Sequence, residues 1–269
     1  MNGILGRTLG ILEHLAAHPQ GLPLASLADD LDIPRSAAHR LLAELAQHGY
    51  VRQLRAQGDY VLTTKLVSLG LSFLSRSGVV DIAQPLLERL AEASGELVRL
   101  AVIDGDTLTF VAKAQGARSG LRYDPDMGTE APLSCSASGH AWLMTLSDEQ
   151  ALELVARQGF GSREQFGVNA PVTVAQLLEH LHAARARGFS LTRETFAPGM
   201  AAMSAPVRRP GQPAIGTLSI AGPHVRLTEE RMLALGPTLI AVADELAAAS
   251  GASPLFSRAA AGPRQPPSA

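Results

Sequence analysis

The 269-residue chain holds one cysteine, Cys135. A single thiol excludes an intramolecular disulfide framework and most thiolate metal clusters, and it fits a chain that works in a reducing cytoplasm. Net charge is scarce as well. Twenty-three basic side chains against 25 acidic ones leave −2, a balance that selects no class of partner by itself. No uninterrupted apolar stretch approaches the roughly 18 residues that a membrane span requires. The first residues, Met1-Asn2-Gly3-Ile4-Leu5-Gly6-Arg7, lack the basic lead and long apolar run of a secretory signal. A soluble cytoplasmic protein without a membrane partner is expected. Its hydrophobic content of 46% supports real cores, and the length suits two domains.

What the chain does have is concentrated near its start. Leu24, Leu27, Ala28 and Leu31 recur at three- and four-residue intervals and give one short helix with an apolar stripe. After Asp32-Ile33 comes Pro34, expected in the first turn of a second helix, where its fixed φ is already helical. Ala38, Leu41, Leu42 and Leu45 form that helix's buried face and leave Arg35, Ser36, His39 and Arg40 outward. Gly49 is a stop residue, and Tyr50-Val51 begins a strand. Residues 52–62 then read as two strands around a Gln57-Gly58-Asp59 turn, bearing Arg52 and Arg55. Upstream, Thr8 to Ala17 supplies a helix that closes a three-helix core. Helix, helix, turn, outward-facing helix and basic hairpin make a winged helix-turn-helix, a device for placing a helix in the DNA major groove. Residues 1–65 nevertheless hold six basic and six acidic side chains, so the head lacks the usual basic footprint. Four of the six basic residues lie on the presumed reading helix and wing, whereas Glu13, Asp29 and Asp30 lie on the other two helices. Modest affinity per head and a need for a dimer follow.

The rest divides into a linker helix and a larger α+β domain. Lys65 to about Ser77 carries Leu66, Leu69 and Phe73 on one seam, flanked by Val67, Leu71 and Leu74. So wide an apolar arc must be buried, against a symmetry mate or against the chain's own second domain. Gly78 breaks it, and a helix from Ile82 to Ala93 is expected with Pro85 in its first turn and Gly95 as its stop. A hairpin over 97–112 turns at Asp104-Gly105-Asp106, and Gly120–Tyr123 reads as a further short strand. Helices are expected over 136–145, 148–157 and 174–187, and strands over 189–193, 203–207 and 214–221. Thr228 caps a last helix to Ala249. Residues 251–269, rich in Pro, Ala, Gly and Ser, read as disordered.

From Gly6 to about Leu246 the chain resembles the IclR (isocitrate lyase regulator) family of bacterial transcriptional regulators. The resemblance is carried by Arg7-Thr8-Leu9-Gly10-Ile11-Leu12-Glu13, by Ile33-Pro34-Arg35-Ser36-Ala37-Ala38-His39-Arg40-Leu41-Leu42, and by Gly49-Tyr50-Val51. Further on it is carried by Ala131-Pro132-Leu133-Ser134-Cys135-Ser136-Ala137-Ser138-Gly139-His140-Ala141, by Pro198-Gly199 with Ser204-Ala205-Pro206-Val207, and by Leu218-Ser219-Ile220-Ala221-Gly222-Pro223. It implies an α+β chain: a winged helix-turn-helix DNA-binding domain at 1–64, a linker helix at 65–78, and a GAF-like effector-binding domain at 79–250 with an antiparallel sheet and flanking helices. It also implies a homodimer, with a tetramer as the next assembly, on a palindromic double-stranded operator, as repressor or activator. Arg35, Ser36, His39, Arg40, Arg52 and Arg55 would meet DNA. Tyr123, Ala131, Ala137, Ser138, Thr192, Met200, Ala202, Ser219 and Ala221 would surround a small organic acid, whose carboxylate suits the helix start at Ser136–Gly139. The family often has an acid at the Thr192 position, a cysteine at Ala202 and a second serine at Ala221. The smaller, less polar residues here should widen and dry the cavity, favouring a larger apolar acid, aromatic ones included, over a keto acid.

Two rival classes are weaker. Cys135 and His140 could make a nucleophile pair, but if Ser136 starts the helix nothing places the imidazole at the sulfur. His14 and His18 share a helix face yet read as solvated, and His180 and His182 point to different faces. No glycine-rich phosphate loop, HExxH or GxSxG is present, so no catalytic residue, metal or cofactor is expected. An adaptor that uses the winged helix without DNA stays open because the head is neutral.

Overall fold

The computed structural model describes residues 3–55, 58–162 and 164–259. They fall into two compact units, Met1–Arg76 and Ser77–Ala269, which are taken in turn.

The first unit packs α1 (Ile4–Ala16), α2 (Leu24–Asp30) and α3 (Arg35–Gln47) around Ile11, Leu15, Leu27, Ala28, Leu42 and Leu45. Asp32 takes a left-handed φ of 51° between α2 and α3, a conformation Asp tolerates, and the turn sends Ile33 into the core. Pro34 precedes the helix as its cap, at ψ 133°, instead of lying in the first turn as expected. At the other end, Tyr50 N–H donates to Leu45 O and Gly49 N–H to Ala46 O. Gly49 at φ 75° thus closes α3 with a Schellman motif. The wing is β1 (Val51–Gln53) against β2 (Tyr60–Leu62), antiparallel, with Leu22 bridging to Tyr60 as an unforeseen third edge. Part of the expected turn, at Ala56-Gln57, lies outside the described residues. The unit ends in α4 (Lys65–Ser77). Lys65 Nζ donates to the carbonyl of His48 at 2.6 Å and lies over the Tyr50 ring, which fixes the start of α4 to the end of α3. Val67, Leu69, Leu71 and Phe73 are each half or more exposed.

The second unit is built on a five-stranded antiparallel sheet. Its strands are β3 (Leu97–Asp104), β4 (Thr107–Gln115), β5 (Ser190–Arg193), β6 (Met200–Val207) and β7 (Gly216–Pro223), in the order β4-β3-β7-β6-β5. Every pairing is antiparallel. Both faces are covered, so the inner strands β3 and β7 are buried along almost their whole length, whereas the edge strand β4 alternates. On one face α5 (Val79–Ser94) and α9 (Glu229–Ala249) pack Leu87, Leu90, Leu239, Val242 and Leu246 against Val98, Leu100, Met203, Leu218 and Ile220. On the other face α6 (Ala137–Leu143), α7 (Asp148–Gln158) and α8 (Val174–Arg187) join Ala101, Ile103, Leu108 and Phe110 in a second core with Trp142, Leu143, Val155 and Leu181. Ser136, Ser147, Thr173 and Thr228 cap α6 to α9 by accepting a backbone N–H, and Ser147 with Gln150 forms a full capping box. Taken singly, α9 is the one described helix long and apolar enough to cross a membrane; its buried residues instead fill the sheet's core.

Four further expectations need correction. The helix α5 begins at Val79, because Gly78 at φ 66° supplies its left-handed entry, so Pro85 sits in its interior and not in its first turn. Gly120–Tyr123 is loop: the segment finds no strand partner, and Lys113–Asp124 and Gln115–Tyr123 side-chain bonds hold it instead. The tail is ordered further than its composition suggested. A 3-10 turn at Ser250–Ala252 and α10 (Pro254–Ala259) place Phe256 in the first core of this unit. Residues 260–269 lie outside the described residues. Ala131, expected at the ligand cavity, is wholly buried in the second core, where its N–H donates to Leu108 O and its carbonyl accepts from Gln158.

Candidate functional site

The outward face of α3 follows from its inward one. Ala38, Leu41, Leu42 and Leu45 point to the core, so Arg35, Ser36, His39 and Arg40 are all exposed. Arg52 and Arg55 are exposed on the wing. Among the described residues Arg40, Arg52 and Arg55 make no ion pair. Arg35 does: its Nη2 lies 3.4 Å from Asp29 Oδ2, with both side chains about two-thirds exposed. Asp29 therefore does not stand apart from α3, as its place on α2 had suggested, but pairs with Arg35 on its outward face. Asp30 is engaged by His14 Nε2 at 2.9 Å, and His18 Nδ1 donates to the carbonyl of His14. The two imidazoles are thus committed to an acid and a carbonyl, and no group of three metal-binding side chains occurs among the described residues.

A second feature lies in the larger unit, between the sheet and the start of α6. Strand alternation puts Arg99 on the α6 side of β3, opposite Ser219 on β7. The same face carries Phe110, Ala221, Ala202 and Thr192, since Ala202 pairs with both Thr192 and Ala221. Ser136, Ala137 and Ser138 enter from α6, and Thr195, Phe196, Ala197 and Met200 from the β5–β6 connection. Of the nine residues expected there, eight line this cavity: Tyr123, Ala137, Ser138, Thr192, Met200, Ala202, Ser219 and Ala221. Ala131 does not.

Of the lining residues not expected from the sequence, Arg99 is the one that carries a charge. Its residue exposure is 7%. Its guanidinium carbon lies 3.6 Å from the centre of the Phe110 ring and 5.8 Å from that of Tyr123. Burial pulls its pKa below the ordinary arginine value, and the Tyr123 phenol opposes this. Burial likewise raises the Tyr123 pKa, with Arg99 acting in the opposite sense. The Arg99 Nε is fully buried and has no hydrogen-bond partner. A single arginine inside the otherwise apolar run Leu97–Val102 was the available signal.

The cavity is not wide. It contains about 420 Å³ of atom-free space when its open mouth is counted, but only about 30 Å³ can take the centre of a water-sized sphere. That admits one or two waters, whereas a benzene-sized guest occupies a cavity of roughly 150 Å³. The small side chains at Thr192, Ala202 and Ala221 do not leave open room, because Arg99 with its two aromatic neighbours lies in it. Tyr123, Phe196 and Met200 on the lining are only partly buried, and they are the side chains that must yield to admit a ring. The hydroxyls are engaged: Ser219 Oγ donates to Arg99 O, Thr192 Oγ1 to Ala202 O, and Thr195 Oγ1 to Cys135 O. Ser136 Oγ itself accepts the Gly139 N–H, so part of the helix start expected to serve a carboxylate is already satisfied.

Comparison with known proteins settles what kind of chain carries these features. Residues 5–55 match the IclR helix-turn-helix domain, and residues 71–248 match the C-terminal domain of bacterial transcriptional regulators of the IclR type. The chain belongs to the IclR family. It is 32% identical over 248 residues to the transcriptional repressor IclR of Escherichia coli, covering 92% of this chain and 89% of that one. It is also 32% identical over 242 residues to the transcriptional regulator BhcR of Paracoccus denitrificans, covering 90% and 85%. An IclR regulator from Alicyclobacillus acidocaldarius shares the fold at TM-score 0.78 and 20% identity over 92% of this chain and 98% of that one. So does an IclR homologue from Microbacterium hydrocarbonoxydans solved with 4-hydroxybenzoate, at TM-score 0.74 and 20% identity over 93% and 100%. The IclR-family chain is thus a DNA-binding transcriptional regulator, not an enzyme.

Its geometry agrees with that. The His140 Nε2 donates to Ser134 O at 2.8 Å instead of meeting Cys135. Burial lowers the His140 pKa to about 4, with the Ser134 carbonyl opposing and His180 adding to the shift. Burial pushes the Cys135 thiol up to about 12. A neutral imidazole and a protonated thiol with no bond between them make no nucleophile.

Proposed function

We propose that this IclR-family chain is a cytoplasmic homodimeric repressor whose hold on its operator is set by a small organic acid in the cavity of the larger unit. Each head lays α3 in the major groove, with Arg40 and His39 toward base edges and Arg35 and Ser36 toward phosphate. Arg52 and Arg55 clamp the flanking backbone. Two heads then require half-sites about 34 Å apart, or a multiple of that. The apolar face of α4, from Val67 to Phe73, is the surface that a second copy covers, since exposed patches of this kind mark interfaces. The observation that carries the reading is the combination of an outward α3 face, whose Arg40 makes no ion pair among the described residues, with an aromatic-lined cavity in which the Nε of Arg99 is buried without a hydrogen-bond partner. The 4-hydroxybenzoate bound by the Microbacterium homologue supports an organic acid as the effector class. The acid can switch the protein only if it binds one arrangement of the heads better than another. The deciding experiment is a mobility shift with the protein's own promoter fragment at low salt, with and without aromatic acids. Absence of any specific complex in every arm refutes the proposal.

A further inference from the structure

Two buried charges flank the start of β3, and they differ in one respect. Glu96 is bonded through both carboxylate oxygens by Arg226, at 2.8 Å each. Arg99 has no anion: no ion pair to it occurs among the described residues, and no second lysine or arginine lines its cavity. An isolated buried guanidinium is costly to the fold. The rings of Phe110 and Tyr123 lie against it and offset part of that cost. The Nε between them is buried without a hydrogen-bond partner, and the Nε edge of a guanidinium is where it binds a carboxylate through two parallel bonds. Ser219, Thr192 and Thr195 each donate a proton to a backbone carbonyl, and none of these hydroxyls accepts from Arg99 Nε, which has no hydrogen-bond partner. The rest of the lining, Ala137, Ala202, Ala221 and Met200 among others, suits an apolar body.

We infer that Arg99 is the anchor of the effector: its Nε edge takes the carboxylate of an aromatic monocarboxylic acid whose ring lies among Tyr123, Phe196 and Met200. This rests on the reading of the larger unit as an effector domain and names the chemistry of that site. A phosphate ester is disfavoured, since a dianion would meet one cation only. A short keto acid would complete the ion pair but leave the apolar lining unused.

Calorimetry on the full chain tests this with benzoate and 4-hydroxybenzoate, the neutral isostere benzamide, pyruvate and phenyl phosphate. At least one aromatic acid should bind, and benzamide should bind ~100-fold more weakly or not at all, as loss of two charge-assisted bonds predicts. Arg99→Met should weaken the acid by a similar factor while raising the melting temperature of the ligand-free protein, because an unpaired buried charge has gone. If Arg99→Met fails to fold, Arg99→Lys decides. It keeps the charge without the planar fork, and acid binding within about threefold of wild type would overturn the anchor. Equal binding of benzoate and benzamide, tighter binding of pyruvate or phenyl phosphate, or no binding by any acid also overturns it. A wild-type operator shift on the same preparation separates the two claims: if it persists while the acids fail, only the anchor falls.

Discussion

Arg40 and Arg52 occupy different places on the head, and replacing each with alanine should give two distinguishable defects. Arg40 projects from the exposed face of α3 and makes no ion pair that DNA would have to break. A guanidinium on a base edge discriminates by about 1–3 kcal/mol, so a two-headed complex should lose about 2–6 kcal/mol of operator affinity, with scrambled DNA little affected. Arg52 lies on β1 of the wing, and its expected partner is phosphate. Removing one phosphate contact per head should cut the slope of log K against log salt by about 1.8, at 0.9 per contact, and weaken operator and scrambled DNA alike. Fluorescence anisotropy with both duplexes across a salt series reads the two quantities together. Both side chains are exposed, so thermal stability should stay within about 0.5 kcal/mol of wild type. The assignment is refuted if Arg40→Ala lowers the salt slope and leaves sequence preference intact, or if Arg52→Ala relaxes preference and leaves the slope unchanged.

Three further outcomes follow from single contacts. Asp29→Asn frees Arg35 and removes a negative charge beside the reading helix, so DNA binding should tighten about 2- to 10-fold at low salt, with the gain fading as salt rises; unchanged affinity by anisotropy would show that the pair does not compete with DNA. His140 is neutral in the fold down to a pKa of about 4, whereas the unfolded imidazole takes a proton below about 6.5. The unfolded state thus binds more protons between those values, and His140 should cost the fold about 3 kcal/mol as pH falls through that window. Urea midpoints at pH 7 and pH 4.5 should show a smaller difference for His140→Asn than for wild type, and an identical difference would refute it. Phe256→Ala should cost about 3–5 kcal/mol, because the ring is fully buried in a core, whereas a change within about 0.5 kcal/mol would return this segment to a disordered tail.

The parts of this fold that were legible in the sequence are those ruled by local chemistry. Leu41, Leu42 and Leu45 with Gly49 define one side and one end of α3, and the same residues fix which side chains face outward. The caps Ser136, Thr173 and Thr228 act within three residues of themselves. What escaped depends on partners distant in the chain. Gly120–Tyr123 has strand-like residues but pairs with no strand, so propensity alone made it a strand. Phe256 sits in a stretch whose composition argues for disorder, and only the core formed with α5, α9 and the sheet gives it a place. Pro85 followed a sound rule about proline in first turns, but Gly78 let α5 begin earlier. Eight cavity residues came from correspondence with the family. Arg99 and Phe110 did not, because within a strand pattern each reads as one more alternating position until the sheet register brings them together.

Glu96 and Arg99 make the argument about the cavity independent of any ligand. Both are charged and buried near the start of β3, so a fold that needed buried charge for its own sake should depend on both. The Glu96 carboxylate is held by Arg226 and packs where a side chain on Gly222 would collide with it, a Cβ there reaching 2.4 Å from Oε2. Arg226→Met would leave that carboxylate unpaired and should cost about 3 kcal/mol, the low end for breaking a buried pair, because Arg226 is itself one-third exposed. Arg99→Met leaves no orphaned partner behind and should cost nothing or stabilise. Urea denaturation of the two variants side by side measures the asymmetry. If Arg99→Met loses as much stability as Arg226→Met, Arg99 serves the packing of Phe110 and Tyr123, and its unbonded Nε is incidental to ligand recognition.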